Sequence, residues 1–101
     1  MSTPIAATTS AATSADIVVS AGSTVVFSVI GTHNGAPIEI RKKDSTGAYW
    51  LMTEETLPGD VKEATLSQGV RVRSIANSTA SSFTLQVYKP ASGVASGVDQ
   101  D

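Results

Sequence analysis

Between residues 17 and 88 the apolar side chains of this chain recur at every second position. Val25, Phe27 and Val29 alternate with Val26, Ser28 and Ile30; Ile38 and Ile40 alternate with Glu39 and Arg41; Phe83, Leu85 and Val87 alternate with Thr84, Gln86 and Tyr88. A period of two puts successive side chains on opposite faces of an extended chain, so these segments read as strands. Seven candidates follow: Ile17 to Val19, Thr24 to Ile30, Ile38 to Arg41, Ala48 to Thr53, Val61 to Leu66, Val70 to Ala76 and Phe83 to Tyr88. The last three form a meander. The Thr24 to Ile30 segment is apolar on both sides, so it is expected to lie centrally or against a partner.

The breaks carry turn chemistry. Gly22, Asn34-Gly35, Asp44-Ser45-Thr46-Gly47, Pro58-Gly59, Ser67-Gln68-Gly69 and the polar run from Asn77 to Ser82 separate the seven candidates. Asp can accept backbone hydrogen bonds at the head of a turn, and Gly tolerates the left-handed conformation at its end, so Asp44 to Gly47 is expected to close a hairpin. No helical period competes with this pattern. The reading is all-β, an antiparallel sandwich of about seven strands.

Both ends lose the alternation. Residues 1–14 are nearly all Ser, Thr and Ala, and residues 90–101 are rich in Ala, Ser, Gly and Val. The expectation is a flexible arm over 1–14, a sandwich domain over 15–89 and a flexible tail over 90–101. The start lacks the basic residues and continuous apolar centre of a signal peptide, and is expected to stay on the chain.

Composition narrows the function. Seven basic and nine acidic residues give a net charge of −2, which supplies no electrostatic reason for a nucleic-acid or anionic-membrane partner. The longest apolar run is far short of the roughly 20 residues of a membrane-spanning helix. With no cysteine, thiol catalysis, thiolate metal sites and disulfides are excluded. A core this small makes an oligomer the expected state.

Candidate chemistry is sparse. His33 is the single histidine, without a second imidazole or paired carboxylates nearby, and reads as a plain loop residue. Glu54 and Glu55 would face opposite ways on a strand, Arg41-Lys42-Lys43 reads as a solvated strand end, and Arg71 and Arg73 are expected to pair with Glu39 or Glu63. Asn77-Ser78-Thr79 fits a glycosylation acceptor formally. Trp50 is expected in the core, with a ligand-stacking platform as the alternative, and Tyr49 is the more exposed aromatic. No catalytic, cofactor or metal site is expected, and the chain is not read as an enzyme. The candidate partner-binding residues are Pro4 and Ile5 on the arm, Val26 and Ile30 on the second face of their strand, and Tyr49.

Val18-Val-Ser-Ala-Gly-Ser-Thr-Val-Val-Phe-Ser-Val29 resembles the opening hairpin of immunoglobulin-like domains, and Gly69 to Ser78 with Phe83 to Val87 is similar to the last two strands of fibronectin type III relatives. The inter-sheet cysteines and the corner tyrosine of those folds have no counterpart, and a jelly roll is the alternative. The whole make-up resembles small accessory proteins of tailed-phage virions. That resemblance implies a structural protein of the virion, assembled in the host cytoplasm: a capsid decoration protein or head or tail accessory. It would associate with itself, as a trimer in many such proteins, and with a capsid or tail protein. A carbohydrate- or receptor-binding module is the alternative, with Trp50 or Tyr49 stacking on a sugar and Thr32 to Asn34 supplying hydrogen bonds.

Overall fold

The computed structural model describes residues 2–35, 37–53, 57, 60–66, 69 and 72–101, Val72 by its backbone alone, and among these it holds strands and turns but no helix. Glu54, Glu55, Pro58, Gly59, Ser67, Gln68, Val70 and Arg71 lie outside the described residues. The strands are β1 (Ser2–Thr8), β2 (Ala12–Thr13), β3 (Ile17–Val19), β4 (Thr24–Gly31), β5 (Ile38–Lys43), β6 (Tyr49–Leu51), β7 (Thr65–Leu66), β8 (Val72–Ala76), β9 (Phe83–Lys89) and β10 (Ser96–Gln100). Four form one sheet in the order β1-β10-β4-β8; six form the other, β2-β9-β5-β6, with β3 also on β9 and β7 also on β5. Every pairing is antiparallel.

The alternation places the core as expected. Val25, Phe27 and Val29 of β4, with Ile75, Val98 and Ile5, turn inward from the four-stranded sheet. They meet Ile17, Val19, Ile38, Ile40, Met52, Leu66, Leu85 and Val87 of the other. Glu39 and Arg41 stay half-buried on the outer face of β5. β4 lies inside its sheet between β10 and β8, and Val26 and Ile30 on its outer face are half-buried.

The two ends depart from expectation. Residues 1–14 are not a loose arm and residues 90–101 are not a loose tail: β1 pairs with β10, and β10 pairs with β4. Ile5 opposes Val98, and both are buried. A strand of small residues gains little from its own side chains, but β10 lies between two partners that satisfy its backbone on both edges. Its glycine also has a use. β1 carries two register shifts, one on each side of Ile5, and the second folds over Gly97 so closely that a Cβ there would sit 2.7 Å from the carbonyl carbon of Ala6 and from the nitrogen of Ala7.

A similar irregularity joins β2 to β3. Thr13 opposes Tyr88 and Ile17 opposes Leu85, so three residues stand against two on β9. Ser14 closes the gap, its N–H donating to the Val87 carbonyl at 2.9 Å and its Oγ accepting the Val87 N–H at 2.9 Å. Such bulges blunt an edge against further strand addition. On the opposite side, Lys62 N–H donates to Ser74 O at 3.2 Å and Ile40 N–H donates to Ala64 O at 3.0 Å, so one segment runs along both sheets. Lys89, fully buried, donates from Nζ to Ser10 O, Pro90 O and Ser92 Oγ at 3.4, 3.1 and 3.4 Å, tying the β1–β2 turn to the β9–β10 connection.

Candidate functional site

Three turns gather at one end of the sandwich. The β5–β6 hairpin closes as its sequence dictates: Asp44 Oδ1 accepts from the Thr46 N–H at 2.8 Å, the Thr46 hydroxyl at 2.6 Å and the Ala48 N–H at 3.0 Å, and Gly47 takes φ 91°. The β8–β9 connection is built on Asn77, whose buried amide donates to Val19 O at 2.9 Å and Ser81 O at 2.7 Å while its oxygen accepts from the Thr79 N–H and hydroxyl. The backbone of Asn77 also exchanges hydrogen bonds with Gly22 and Ser23 of the β3–β4 turn. The formal glycosylation acceptor is thus a buried joint with every polar atom engaged.

Between these turns runs an open groove of about 520 Å³, lined by Lys42, Lys43, Asp44 and Ser45 from one side and by Thr79, Ser81, Ser82, Phe83 and Thr84 from the other. Lys42 Nζ lies 5.6 Å over the Phe83 ring.

Trp50 is not a core residue. It is 61% exposed, whereas Met52 two positions on is buried. Both share the inward face, as their spacing predicts, but Met52 bonds back to Ile40 while Trp50 opposes Lys42, one step past the last buried pair. The indole N–H meets an acceptor there, Asp44 Oδ2 at 2.6 Å. The hydroxyl of Thr46 and then the indole of Trp50 pull the Asp44 carboxyl down to about 2 from its ordinary 3.8. Position along the strand, which a period cannot supply, decides between core and rim.

Tyr49 lies on the outer face of the six-stranded sheet. Its hydroxyl donates to Asp16 Oδ1, Gln86 Nε2 donates to the same oxygen at 3.3 Å, and Lys43 Nζ stands 3.7 Å from Oδ2 and 5.7 Å over the Tyr49 ring. The hydrogen bond from Tyr49, then Lys43, holds the Asp16 carboxyl below its ordinary value, and the same bond raises the Tyr49 hydroxyl. Farther along that face the Arg41 guanidinium stacks 4.1 Å over Tyr88 and pairs with Glu39 at 3.4 Å. Glu63, one of the two carboxylates expected for the arginines, pairs with Arg73 at 2.5 Å. Leu51 and Val18 are exposed.

The five candidate partner-binding residues do not converge. Ile5 is 3% exposed and belongs to the core, because β1 is a strand of the sheet rather than an arm. Pro4 is half-buried on that edge strand, Val26 and Ile30 are half-buried on β4, and Tyr49 belongs to the other sheet. Trp50 and the Thr32 to Asn34 loop, paired in the sugar-binding expectation, flank opposite ends of β5: Trp50 stands opposite Lys42, about 13 Å along the strand from Ile38, where β5 begins. His33 is buried, with Nδ1 accepting the Gly35 N–H at 3.1 Å, which braces a turn where Asn34 and Gly35 both take positive φ. Among the described residues its Nε2 is enclosed without a hydrogen-bond partner, and no three His, Cys, Asp or Glu side chains gather into a metal-sized cluster. No described helix is long and apolar enough to cross a membrane.

No protein-family model matches the chain. No curated protein and no solved structure matches it either.

Proposed function

We propose that the sandwich is a jelly roll and that the chain is a non-enzymatic virion structural protein, a decoration or head or tail accessory that self-associates and binds a repeated protein surface. The observation that carries this reading is strand order. Counting β2 with β3 as one interrupted strand, and β6 with β7 as one edge, gives eight positions running 1-8-3-6 in one sheet and 2-7-4-5 in the other. Interleaving the last strands between the first ones is what two nested Greek keys produce, and that arrangement recurs in viral capsid and lectin domains. Function is not fixed by fold, so the surface must carry the rest. Here the bulged edges speak against strand addition, and the outer face of the four-stranded sheet, with Val26, Ser28 and Ile30 on β4, Ser74 beside Val26 and Asp99 beside Ser28, offers a mixed apolar and polar patch for packing.

Banding virus particles from a producing culture and quantifying this chain in them tests the proposal. Many copies per particle are expected. Particles free of the chain would overturn it.

A second reading, a glycan- or receptor-binding module, is favoured by one specific observation: the exposed indole of Trp50 donates to Asp44, which itself lines a groove rich in hydroxyls.

A further inference from the structure

We infer that the outer edge of β6 pairs antiparallel with the same edge of a second copy of this chain, Tyr49 of each copy opposite Leu51 of the other and the two Trp50 side chains meeting between them. The inference deepens the self-association in the reading above and rests on it.

β6 is the edge that the fold leaves open. β1 is interrupted by two register shifts, the β2–β3 edge is interrupted by the bulge at Ser14, and β8 is flanked by the Lys62 N–H donating to Ser74 O at 3.2 Å. β6 instead runs in regular register with β5, its Tyr49, Trp50 and Leu51 opposite Lys43, Lys42 and Arg41, and among the described residues no strand pairs with its other side. Sheet edges are commonly guarded by a charge or a bulge. From Ser45 to Thr53 this chain has no charged residue. Of the large hydrophobic side chains exposed among the described residues, Trp50 at 61% and Leu51 at 41% lie on this strand.

Backbone alternation fixes the register. The Asp44 N–H donates to Ala48 O and the Met52 N–H donates to Ile40 O, so the backbone groups of Ala48, Trp50 and Met52 turn toward β5 and those of Tyr49 and Leu51 turn away. Setting Trp50 opposite Trp50 about a two-fold axis makes Tyr49 and Leu51 the pair that exchanges both hydrogen bonds, once on each side of the axis. Every outward-turned N–H and C=O of β6 then has a partner. The central pair is of the kind without hydrogen bonds, in which side chains come closest, so the indoles meet on one face while Tyr49 meets Leu51 on the other. One register satisfies the backbone and sets apolar against apolar, which names a second copy as the occupant. Its size sets its strength: three strand residues a side, against roughly 20 to 30 in a stable free-standing interface. Such a dimer is weak in dilute solution and strengthens where copies are held side by side, as on a repeated surface.

The test is sedimentation equilibrium of the full chain over a concentration series, in which the mass should rise from monomer toward dimer. Leu51→Pro removes an N–H that faces outward, so the β5–β6 bonds stay while two bonds between copies are lost; the dimer should weaken about tenfold with the fold retained by circular dichroism. Trp50→Cys exploits a chain without cysteine. The Cα atoms of such a central pair lie about 4.5 Å apart, inside the disulfide range of roughly 4.4 to 6.8 Å. Mild oxidation should therefore link Trp50→Cys to its own copy, whereas Val18→Cys, exposed on the opposite edge of that sheet, should stay monomeric. Should Leu51→Pro not fold, the two cysteine variants decide. A folded Leu51→Pro chain that dimerises like the parent, or equal linkage at positions 18 and 50, overturns the β6 pairing and leaves self-association through another surface standing. A parent chain that is monomeric at every concentration overturns both, and leaves the edge to a strand of a different protein.

Discussion

Nε1 of Trp50 donates to Oδ2 of Asp44 at 2.6 Å, so the one tryptophan of the chain reports on the carboxylate that organises its hairpin. The Thr46 hydroxyl and the Trp50 indole keep that carboxyl at about 2 in the folded chain, against 3.8 for the free group. A folded value below the unfolded one means that the carboxylate stabilises the hairpin fully above 3.8 and that this is lost as the pH falls through about 2. Indole emission followed during acid titration should therefore change with a midpoint near about 2. Asp44→Asn should abolish the step. A midpoint at the ordinary carboxylate value would show that the hairpin does not hold the charge.

Asn77 joins the β3–β4 turn to the β8–β9 connection through a buried amide that donates to two carbonyls. Asn77→Ala leaves the Val19 carbonyl without that donor, whereas the carbonyl of the exposed Ser81 still accepts from the Thr79 hydroxyl at 3.0 Å, and an unpaired buried acceptor is costly. Urea unfolding should show a loss of about 1 to 3 kcal/mol. Asn77→Asp should be no better, because an acid cannot donate to either carbonyl at neutral pH.

Gly97 and Gly93 form an internal control. An added Cβ at Gly97 meets the backbone of Ala6 and Ala7, which cannot swing aside as a side-chain tip can, whereas at Gly93 it meets nothing within 4 Å. Gly97→Ala should cost about 3 kcal/mol or lift β1 from β10, and Gly93→Ala should lie within about 0.5 kcal/mol of the parent. Similar melting of the two variants would argue against the bulged contact.

The position of β1 reverses the expected result of trimming the chain. Were residues 1–14 a loose arm, their removal would leave the fold intact. With Ile5 in the core and β1 on β10, deleting residues 1–8 should cost on the order of 4 kcal/mol. Amide exchange at Val98 and Asp99 should accelerate with it. An unchanged melting temperature would restore the arm.

The sequence discloses those parts of the fold that a short period or a local turn determines. Val25, Phe27 and Val29, or Leu85 and Val87, announce a buried face within five residues, and Asp44 and Gly47 build their turn from their own side chain and backbone. β1 and β10 are different. Each has a single large aliphatic residue buried in the core, Ile5 and Val98, and their pairing joins positions more than 85 residues apart, as with Ile5 and Val98. Nothing local marks such a strand; it exists because its neighbours supply hydrogen-bond partners. Trp50 shows the same limit within a strand that the pattern does find. Its face was legible from Met52, but its exposure depends on which β5 residue lies opposite, and that is Lys42 rather than Ile40.

One consequence of β10 lying between β1 and β4 concerns the order of events during synthesis. The two flanking strands leave the ribosome early and cannot pair with each other through the gap they hold open, so half of the sandwich waits for the final strand to slot into its middle. Closure is then a late step that joins strands more than 85 residues apart, the kind of long-range event that makes folding slow. Nascent copies accumulating side by side would meanwhile present vacant strand edges to one another, which favours rapid release and modest local crowding over slow, dense expression.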